Sequence, residues 1–322
     1  MRIFLTGASG FVGGHLLRML YSQGYQVSCL VRPESRKTAA FKRGIEALPK
    51  VQIITGEWTH PEQWIDTVAG HDVVINTVGV IRETRQASFA QVHTYSAMAL
   101  FEAAAQAEVG KVIQISALGA DEMAQSGFHR SKRAADQYLV RLGIPYVILR
   151  PSFIYGPGDH SMAFFTWLAR LPLTPVPGDG RYRVQPLLVN DLTRAILTTL
   201  QNPDLTAVVA DIGGGEVLTF NTLLDRLARQ AGKRRGARKW HIPWSIMSLL
   251  ANLTTLLGDH GPITSEELAM LRRENFTPDA TRFAELFGFT PQPFDPRARN
   301  GPSHNQSSPA FPLASVCSHR DL

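Results

Sequence analysis

Cysteine is nearly missing: Cys29 and Cys317 are the two in 322 residues, far apart in the chain, and nothing suggests that they pair. A disulfide scaffold and a Cys-rich zinc site are excluded, and a reducing compartment is the simple reading. No uninterrupted apolar run approaches the roughly 20 residues that a membrane-spanning helix needs. The N-terminal residues lack the basic segment, apolar core and cleavage site of a secretory leader. The expected location is therefore the cytoplasm. The ten histidines show no ligand spacing, and there is no zinc-finger or other reader pattern. Neither a metal nor a nucleic acid is expected as a ligand. Apolar residues are 44% and charged residues 19%, an ordinary globular balance. The net charge of +6 admits phosphorylated cofactors, nucleic acid or acidic lipid without choosing among them.

What is present first is alternation. Arg2–Thr6, Gln26–Val31, Val51–Ile54, Asp72–Thr77, Lys111–Ser116 and Tyr146–Leu149 are short apolar runs rich in Val and Ile. Helical patterns fall between them at Val12–Tyr21, Pro61–Val68, Phe89–Ala107 and His129–Leu142. Short buried strands alternating with amphipathic helices predict an α/β fold with a doubly wound parallel sheet. Residues 1–150 form this dinucleotide-binding lobe. After Arg150-Pro151 the pattern becomes irregular, and residues 151–294 read as a smaller α/β lobe on the substrate side, with partly interleaved contacts. Its expected elements are Gln185–Val189 extended, Asn190–Leu200 helical, Val208–Ile212 a strand and Phe220–Ala231 a helix, with Asn190 or Asp191 and Thr219 as caps. Residues 295–322 carry no periodicity and read as a poorly ordered tail.

The loop after the first strand reads Thr6-Gly7-Ala8-Ser9-Gly10-Phe11-Val12-Gly13. Gly7 permits a tight turn, Gly10 the close approach of a pyrophosphate, and Gly13 close helix–strand packing. The helix start offers free N–H groups to phosphate. Placed between strand and helix, the pattern points to a dinucleotide site; the alternative is a structural turn. At the end of the second strand an NAD site usually carries an acid for the ribose hydroxyls. This chain has Leu30-Val31-Arg32-Pro33-Glu34-Ser35-Arg36-Lys37. Arg32 falls where a 2′-phosphate would lie, with Arg36 or Lys37 to assist, which favours NADP(H) over NAD(H). The alternative is that these are exposed loop charges.

Taken with Asp72-Val73-Val74-Ile75-Asn76-Thr77-Val78-Gly79, Ile115-Ser116-Ala117-Leu118-Gly119-Ala120, Arg150-Pro151-Ser152-Phe153-Ile154-Tyr155-Gly156-Pro157-Gly158-Asp159, Gln185–Asp191 and Leu271–Asn275, the glycine loop resembles the atypical branch of the short-chain dehydrogenase/reductase superfamily. Within it the chain is similar to the group that contains the NADPH-binding accessory subunit of mitochondrial complex I and its bacterial, epimerase-like relatives. The resemblance covers about residues 1–294 and implies a nicotinamide cofactor and hydride transfer. It implies that Ser9, Phe11, Val12, Thr77, Val78, Gly79, Ser116 and Lys132 hold the cofactor beside the three glycines, with Pro151 and Phe153 near the nicotinamide.

Active members pair a tyrosine with a lysine four residues on and a serine upstream. The lysine lowers the tyrosine's pKa and holds the nicotinamide ribose, the tyrosine moves the proton, and the serine steadies the substrate oxygen. Here Lys132 and Ser116 match, but Phe128 stands where the tyrosine belongs. Phenylalanine can neither give nor take a proton. His129 and Tyr155 are substitute donors to be tested; the plain alternatives are a satisfied histidine and a structural tyrosine. Some relatives without the tyrosine reduce substrates that bring their own proton path, and others keep the cofactor as a structural ligand. The two functional expectations are thus an oxidoreductase acting on a small molecule, of apolar or quinone-like character by resemblance, and a non-catalytic assembly factor stabilised by cofactor.

One further segment stands out. Between Arg226 and Lys239 lie seven basic residues and no acid, followed by Trp240-His241-Ile242-Pro243-Trp244 and the largely apolar Ile246–Leu257. A basic cluster beside tryptophans and an apolar helix suits the surface of a membrane or a partner subunit. The plain reading is a core helix preceded by a solvated loop. A membrane contact here would move the expected location from the open cytoplasm to the inner face of a membrane. Nothing in the sequence bears on oligomeric state.

Overall fold

The computed structural model describes residues 1–31, 36–45, 48–56, 64–85, 87–255, 264–279 and 281–300, without side-chain detail at 36–40, 253–255 and 299–300. Arg32, Glu34 and the stretch 301–322 lie outside the described residues, and the side chains of Arg36 and Lys37 outside the described detail.

Seven parallel strands form the main sheet: β1 (Arg2–Thr6), β2 (Gln26–Val31), β3 (Val51–Thr55), β4 (Val73–Asn76), β5 (Lys111–Ile115), β6 (Tyr146–Pro151) and, much later in the chain, β11 (Val208–Ile212). Their order is β11-β6-β5-β4-β1-β2-β3. The order reverses between β1 and β4, and ligands of such sheets bind outside the strand ends at that reversal. All of β4 and β5 and nearly all of β2 are buried, as a sheet covered on both faces requires. On one face α1 (Phe11–Ser22) packs with α7 (Val189–Gln201) and the short α11 (Arg282–Phe287), joined by α2 (Arg36–Ile45). On the other lie α3 (Ile65–Val68), α4 (Ser96–Gln106) and α5 (Gly127–Arg141).

The second lobe has its own core around Tyr155, Met162, Val176, Phe220 and Leu224. It comprises β7 (Ile154–Tyr155) paired with β10 (Leu187–Leu188), β9 (Arg183–Val184) paired with β12 (Leu218–Thr219), and β8 (Thr174–Pro177) paired with β13 (Lys239–Ile242). The helices α6 (Ser161–Arg170) and α8 (Phe220–Gln230) pack together, and α9 (Trp244–Thr255) packs on α10 (Ser265–Arg272). No described helix is long and apolar enough to cross a membrane.

The lobes do not divide along the chain at residue 150. β11 extends the first sheet beside β6, and α7 lies on α1, because their apolar faces complete the first core. Three local expectations also change. The helix expected over Phe89–Ala107 opens as a π-helical turn, Ala90–Tyr95, before α4. Such wide turns recur at functional sites, and this one carries the buried His93 inward. Neither Asn190 nor Asp191 caps α7: the cap position is Leu188, and Asp191 instead accepts from the Gln292 N–H at 2.8 Å. Order runs past residue 294, since Pro296–Asn300 forms a 3-10 turn and the Asp295 N–H donates to Tyr155 Oη at 3.2 Å. Thr219 does cap α8, accepting from the Thr222 N–H.

Lys111, at the start of β5, ties α7 to the sheet. Its ammonium donates to the carbonyls of Asn202 and Leu205, both at 3.0 Å, at the helix's C-terminal end. Removing a charged donor from one buried and one partly buried carbonyl costs about 1.5–3 kcal/mol. Lys111→Met is expected to lose that much stability in urea unfolding; an unchanged midpoint would show that water replaces the ammonium there.

Candidate dinucleotide site and catalytic cleft

The glycine loop joins β1 to α1 at the sheet's reversal point. Gly7 has φ +78°, a left-handed conformation that favours glycine. The Gly10 N–H donates to the Gly7 carbonyl at 2.9 Å and closes the turn. A Cβ on Gly13 would lie 2.2 Å from the Gly7 oxygen and 2.7 Å from Thr77 Oγ1, so glycine alone lets α1 sit this close. Gly10 is the N-cap of α1 and supplies no side-chain acceptor. The first N–H groups of α1, on Phe11, Val12 and Gly13, are therefore open to an anion. A groove lined by Gly7, Ser9, Gly10, Val31, Thr77, Val78 and Gly79 runs from this end across the strand tips. Uncapped helix start, glycine cradle and groove together fit a dinucleotide pyrophosphate.

Its far wall is the loop after β4, and Asn76 shapes it. Asn76 Oδ1 accepts from Thr6 Oγ1 at 2.7 Å and from the Val78 N–H at 3.1 Å. Its amide nitrogen donates to Gln114 Oε1 at 2.8 Å, so one side chain links the ends of β1, β4 and β5. Thr77 Oγ1 donates to the Thr6 carbonyl at 2.7 Å. Lys132, from α5, donates to the carbonyls of Val78 at 2.9 Å and Ile115 at 3.1 Å, and lies beside Gly79. Two of its three donors are thereby used, and the third is available to a ribose. Burial lowers its pKa to about 8, with the nearby Asp136 opposing.

The expected proton chemistry does not assemble. Ser116 Oγ donates to Asp136 Oδ2 at 2.8 Å, and Arg150 Nε donates to the same oxygen at 2.9 Å. Burial pushes the Asp136 carboxyl up to about 6 against the pull of Arg150. Phe128 packs edge-on to His93, Phe89 and His129. His129 is buried and hydrogen-bonded to Ser126, and burial lowers it to about 4; it is a satisfied, neutral histidine. Tyr155 lies wholly inside the second lobe against Phe294, and burial raises it to about 12. Pro151 closes the end of β6, its carbonyl accepting from the Leu118 N–H at 2.9 Å. The Phe153 N–H donates to Asn275 Oδ1 at 2.7 Å, and its ring packs on Phe165 of the second lobe. Lys132, Gly79 and the glycine loop are thus brought together, whereas Tyr155 is not.

The sequence reading missed His93. Its Nε2 accepts from the Val80 N–H at 2.9 Å, so the ring proton sits on Nδ1, which donates to Ser131 Oγ at 2.9 Å. Ser131 passes the chain on to the Phe128 carbonyl at 2.8 Å. Burial, then the Lys132 charge, lowers His93 to about 2. It stays neutral and braces the groove wall against α5. Only the π-helical turn exposes this role, and a helical pattern in sequence does not announce one.

In the ligand-free protein Lys132 gives a test with a definite sign. Its folded pKa, about 8, lies below the ordinary 10.5. Between the two the unfolded chain holds the extra proton, so stability rises with pH across that window. Between about pH 8 and about pH 10 the urea midpoint of the wild type is expected to rise relative to that of Lys132→Met, the shared background of Cys29 and Lys111 cancelling in the comparison. Parallel rises in both proteins would assign the effect to other groups.

Comparison with known proteins agrees with this geometry. The family model described as NAD dependent epimerase/dehydratase family matches residues 3–213, more than half of the chain. A ceramide reductase of Caulobacter vibrioides is 32% identical over 207 residues, 64% of this chain and 63% of that protein. Subunit 9 of the mitochondrial NADH dehydrogenase (ubiquinone) 1 alpha subcomplex of Dictyostelium discoideum is 31% identical over 226 residues, 69% of this chain and 61% of that protein. The matched region thus spans a little over three fifths of these relatives. The UDP-glucuronic acid 4-epimerase of Bacillus cereus, solved with UDP-glucuronic acid and NAD, superposes with a TM-score of 0.67 at 20% identity, covering 91% of this chain and 94% of that one. That likeness is one of fold. By sequence, sheet order and glycine loop, the chain belongs to the NAD dependent epimerase/dehydratase family, within the short-chain dehydrogenase/reductase superfamily.

Proposed function

We propose that this protein binds NADP(H) in preference to NAD(H) and transfers hydride between it and an apolar, quinone-like small molecule. The bound nicotinamide supplies or accepts the hydride. The reading is supported by the groove at the glycine loop, with Lys132 against its Val78–Gly79 wall and Phe128, rather than a tyrosine, four residues before that lysine. Hydride addition to a simple ketone leaves an alkoxide that needs a placed acid. Addition to a quinone leaves a phenol-type anion, whose ordinary pKa of about 10 lets solvent finish the protonation. A site with phenylalanine where the tyrosine acid would stand thus suits the second acceptor better than the first. Asp136 is held by both Ser116 and Arg150 at the ends of β5 and β6, and Phe128 packs with Phe89 and His93 in an aromatic cluster behind the loop that carries Val80.

The preference for NADP(H) is supported by Arg32, Arg36 and Lys37, which follow directly on β2, whose last residue, Val31, lines the groove. No acid occurs in β2. A charge-assisted pair to a 2′-phosphate contributes about 1.5–3 kcal/mol, or roughly 10- to 100-fold in affinity. Calorimetric titration is expected to show Arg32→Ala losing NADPH affinity in that range with NADH nearly unaffected. An unchanged ratio of the two affinities would remove Arg32 from the site.

The second reading is a cofactor-stabilised assembly factor without turnover, favoured by the commitment of Ser116 to Asp136. Single-turnover oxidation of NADPH separates the two. The expected result is oxidation by a short-chain quinone but not by a cyclic ketone, with Phe128→Tyr gaining the ketone reaction by about 100-fold, the usual contribution of a placed acid. No oxidation by any acceptor, with NADPH still bound, would favour the assembly factor. In either reading the segment Arg226–Leu257, whose described part (226–255) contributes no residue to the groove, serves as a docking surface.

A further inference from the structure

We infer that the outer edge of the second lobe is a docking surface for an anionic lipid bilayer. The inference rests on the docking reading of Arg226–Leu257 and is independent of the cofactor.

Three elements that sequence analysis does not connect meet along this edge. On α6, Phe164 and Trp167 are exposed and stack on each other with ring centroids 5.9 Å apart. The turn that follows α6 presents Leu173, 45% exposed. β13 runs parallel to β8 with Trp240 opposite Pro175, and Trp240 is 58% exposed. The basic loop between α8 and β13 is fastened to the same turn at both ends. Lys233 Nζ donates to the Leu171 carbonyl, and the Thr174 N–H donates to the Arg238 carbonyl at 2.7 Å. The fold therefore fastens the basic loop to the turn that follows the Phe164–Trp167 helix and leads into β8, while Trp240 follows the loop directly on β13.

Charge selects the partner. Of the basic residues between 226 and 239, Arg226 pairs with Glu216 and Lys239 with Asp225. Arg229, Arg234, Arg235 and Arg238 are exposed and form no ion pair among the described residues. The segment contains no acid of its own, and the acids that face it from neighbouring elements, Glu216 and Asp225, are the two already paired. An uncompensated cationic loop alongside exposed tryptophan and leucine matches the two layers of a bilayer surface, anionic headgroups and the acyl boundary beneath them.

The helix that follows β13 has the form of an interfacial element. α9 buries Met247 and Ala251 against Leu268 of α10 and leaves Ile246, Leu249 and Leu250 exposed at helical spacing. No charged residue occurs in α9. Its 12 residues make a helix too short to span a bilayer but able to lie on one.

Flotation of the full chain with vesicles tests this, comparing phosphatidylglycerol in phosphatidylcholine with phosphatidylcholine alone, at low and high salt. The wild type is expected to float with the anionic vesicles only, and less at high salt. Arg234→Ala, Arg235→Ala and Arg238→Ala should each weaken binding by about 5-fold. Trp167→Ser with Trp240→Ser should lower the floated fraction at both salt concentrations and abolish the blue shift of tryptophan fluorescence. Unchanged thermal unfolding and NADPH affinity in these variants establish that the fold is kept. Failure of the wild type to float, equal flotation on both compositions, or arginine variants that float like wild type would each overturn the proposal. A wild type that floats but binds neither dinucleotide would overturn the cofactor reading and leave this one standing.

Discussion

The crossing of α1 over the ends of β1 and β4 is the contact on which everything else at the site depends. Gly7 and Gly13 allow backbone to touch backbone there, and Thr77 fills the remaining gap with a hydrogen bond to the Thr6 carbonyl. A methyl group at Gly13 would force α1 away from the sheet. That would widen the turn that aims N–H groups at the groove and loosen the apolar contacts of Leu16, Leu17 and Leu20 with the core. Binding geometry and core packing are therefore one constraint at this point in the chain.

The chemistry around Lys132 follows from burial more than from pairing. Asp136 has an arginine and a serine on one oxygen, yet its pKa rises, because removal from water outweighs both partners. Its other oxygen has no partner among the described residues. His93 and Lys132 are each pushed toward the neutral form by the same desolvation. The interior at the strand ends thus disfavours the charged forms of Asp136, His93 and Lys132, and these groups act as hydrogen-bonding braces. A dinucleotide arriving in the groove meets fixed donors and little mobile charge.

Much of this was legible in the sequence where a local pattern has a single physical cause. The buried strands, the glycine loop and the Thr219 cap each answer to short-range rules: continuous apolar runs, backbone approach and an oxygen before a helix. That Phe128 stands one helical turn before Lys132 could also be read directly, since both belong to one helix. What stayed hidden depends on contacts distant in sequence. β11 joins a sheet whose other strands end near residue 151, which no local pattern specifies. Asp191 looked like a cap and instead holds Gln292, 101 residues away. Tyr155 read as a cleft residue because of its motif, but its neighbour Phe294 comes from the far end of the chain. The attachment of the basic loop to the turn after α6 likewise needs the β8–β13 pairing.

The late segment from Asn275 to Asp295 has a consequence for how the molecule is made. It binds Phe153 through Asn275, Gln185 through the backbone of Asn275 and Thr277, Asp191 through Gln292 and Tyr155 through Asp295. The glycine loop and the strands beside it have left the ribosome long before this strap does, and chains fold in order of emergence. The strands and glycine loop that line the groove are therefore made early, but the core beneath them is complete only when β11, α7 and, within the strap itself, α11 have emerged, so groove and substrate side are finished together at the end of synthesis.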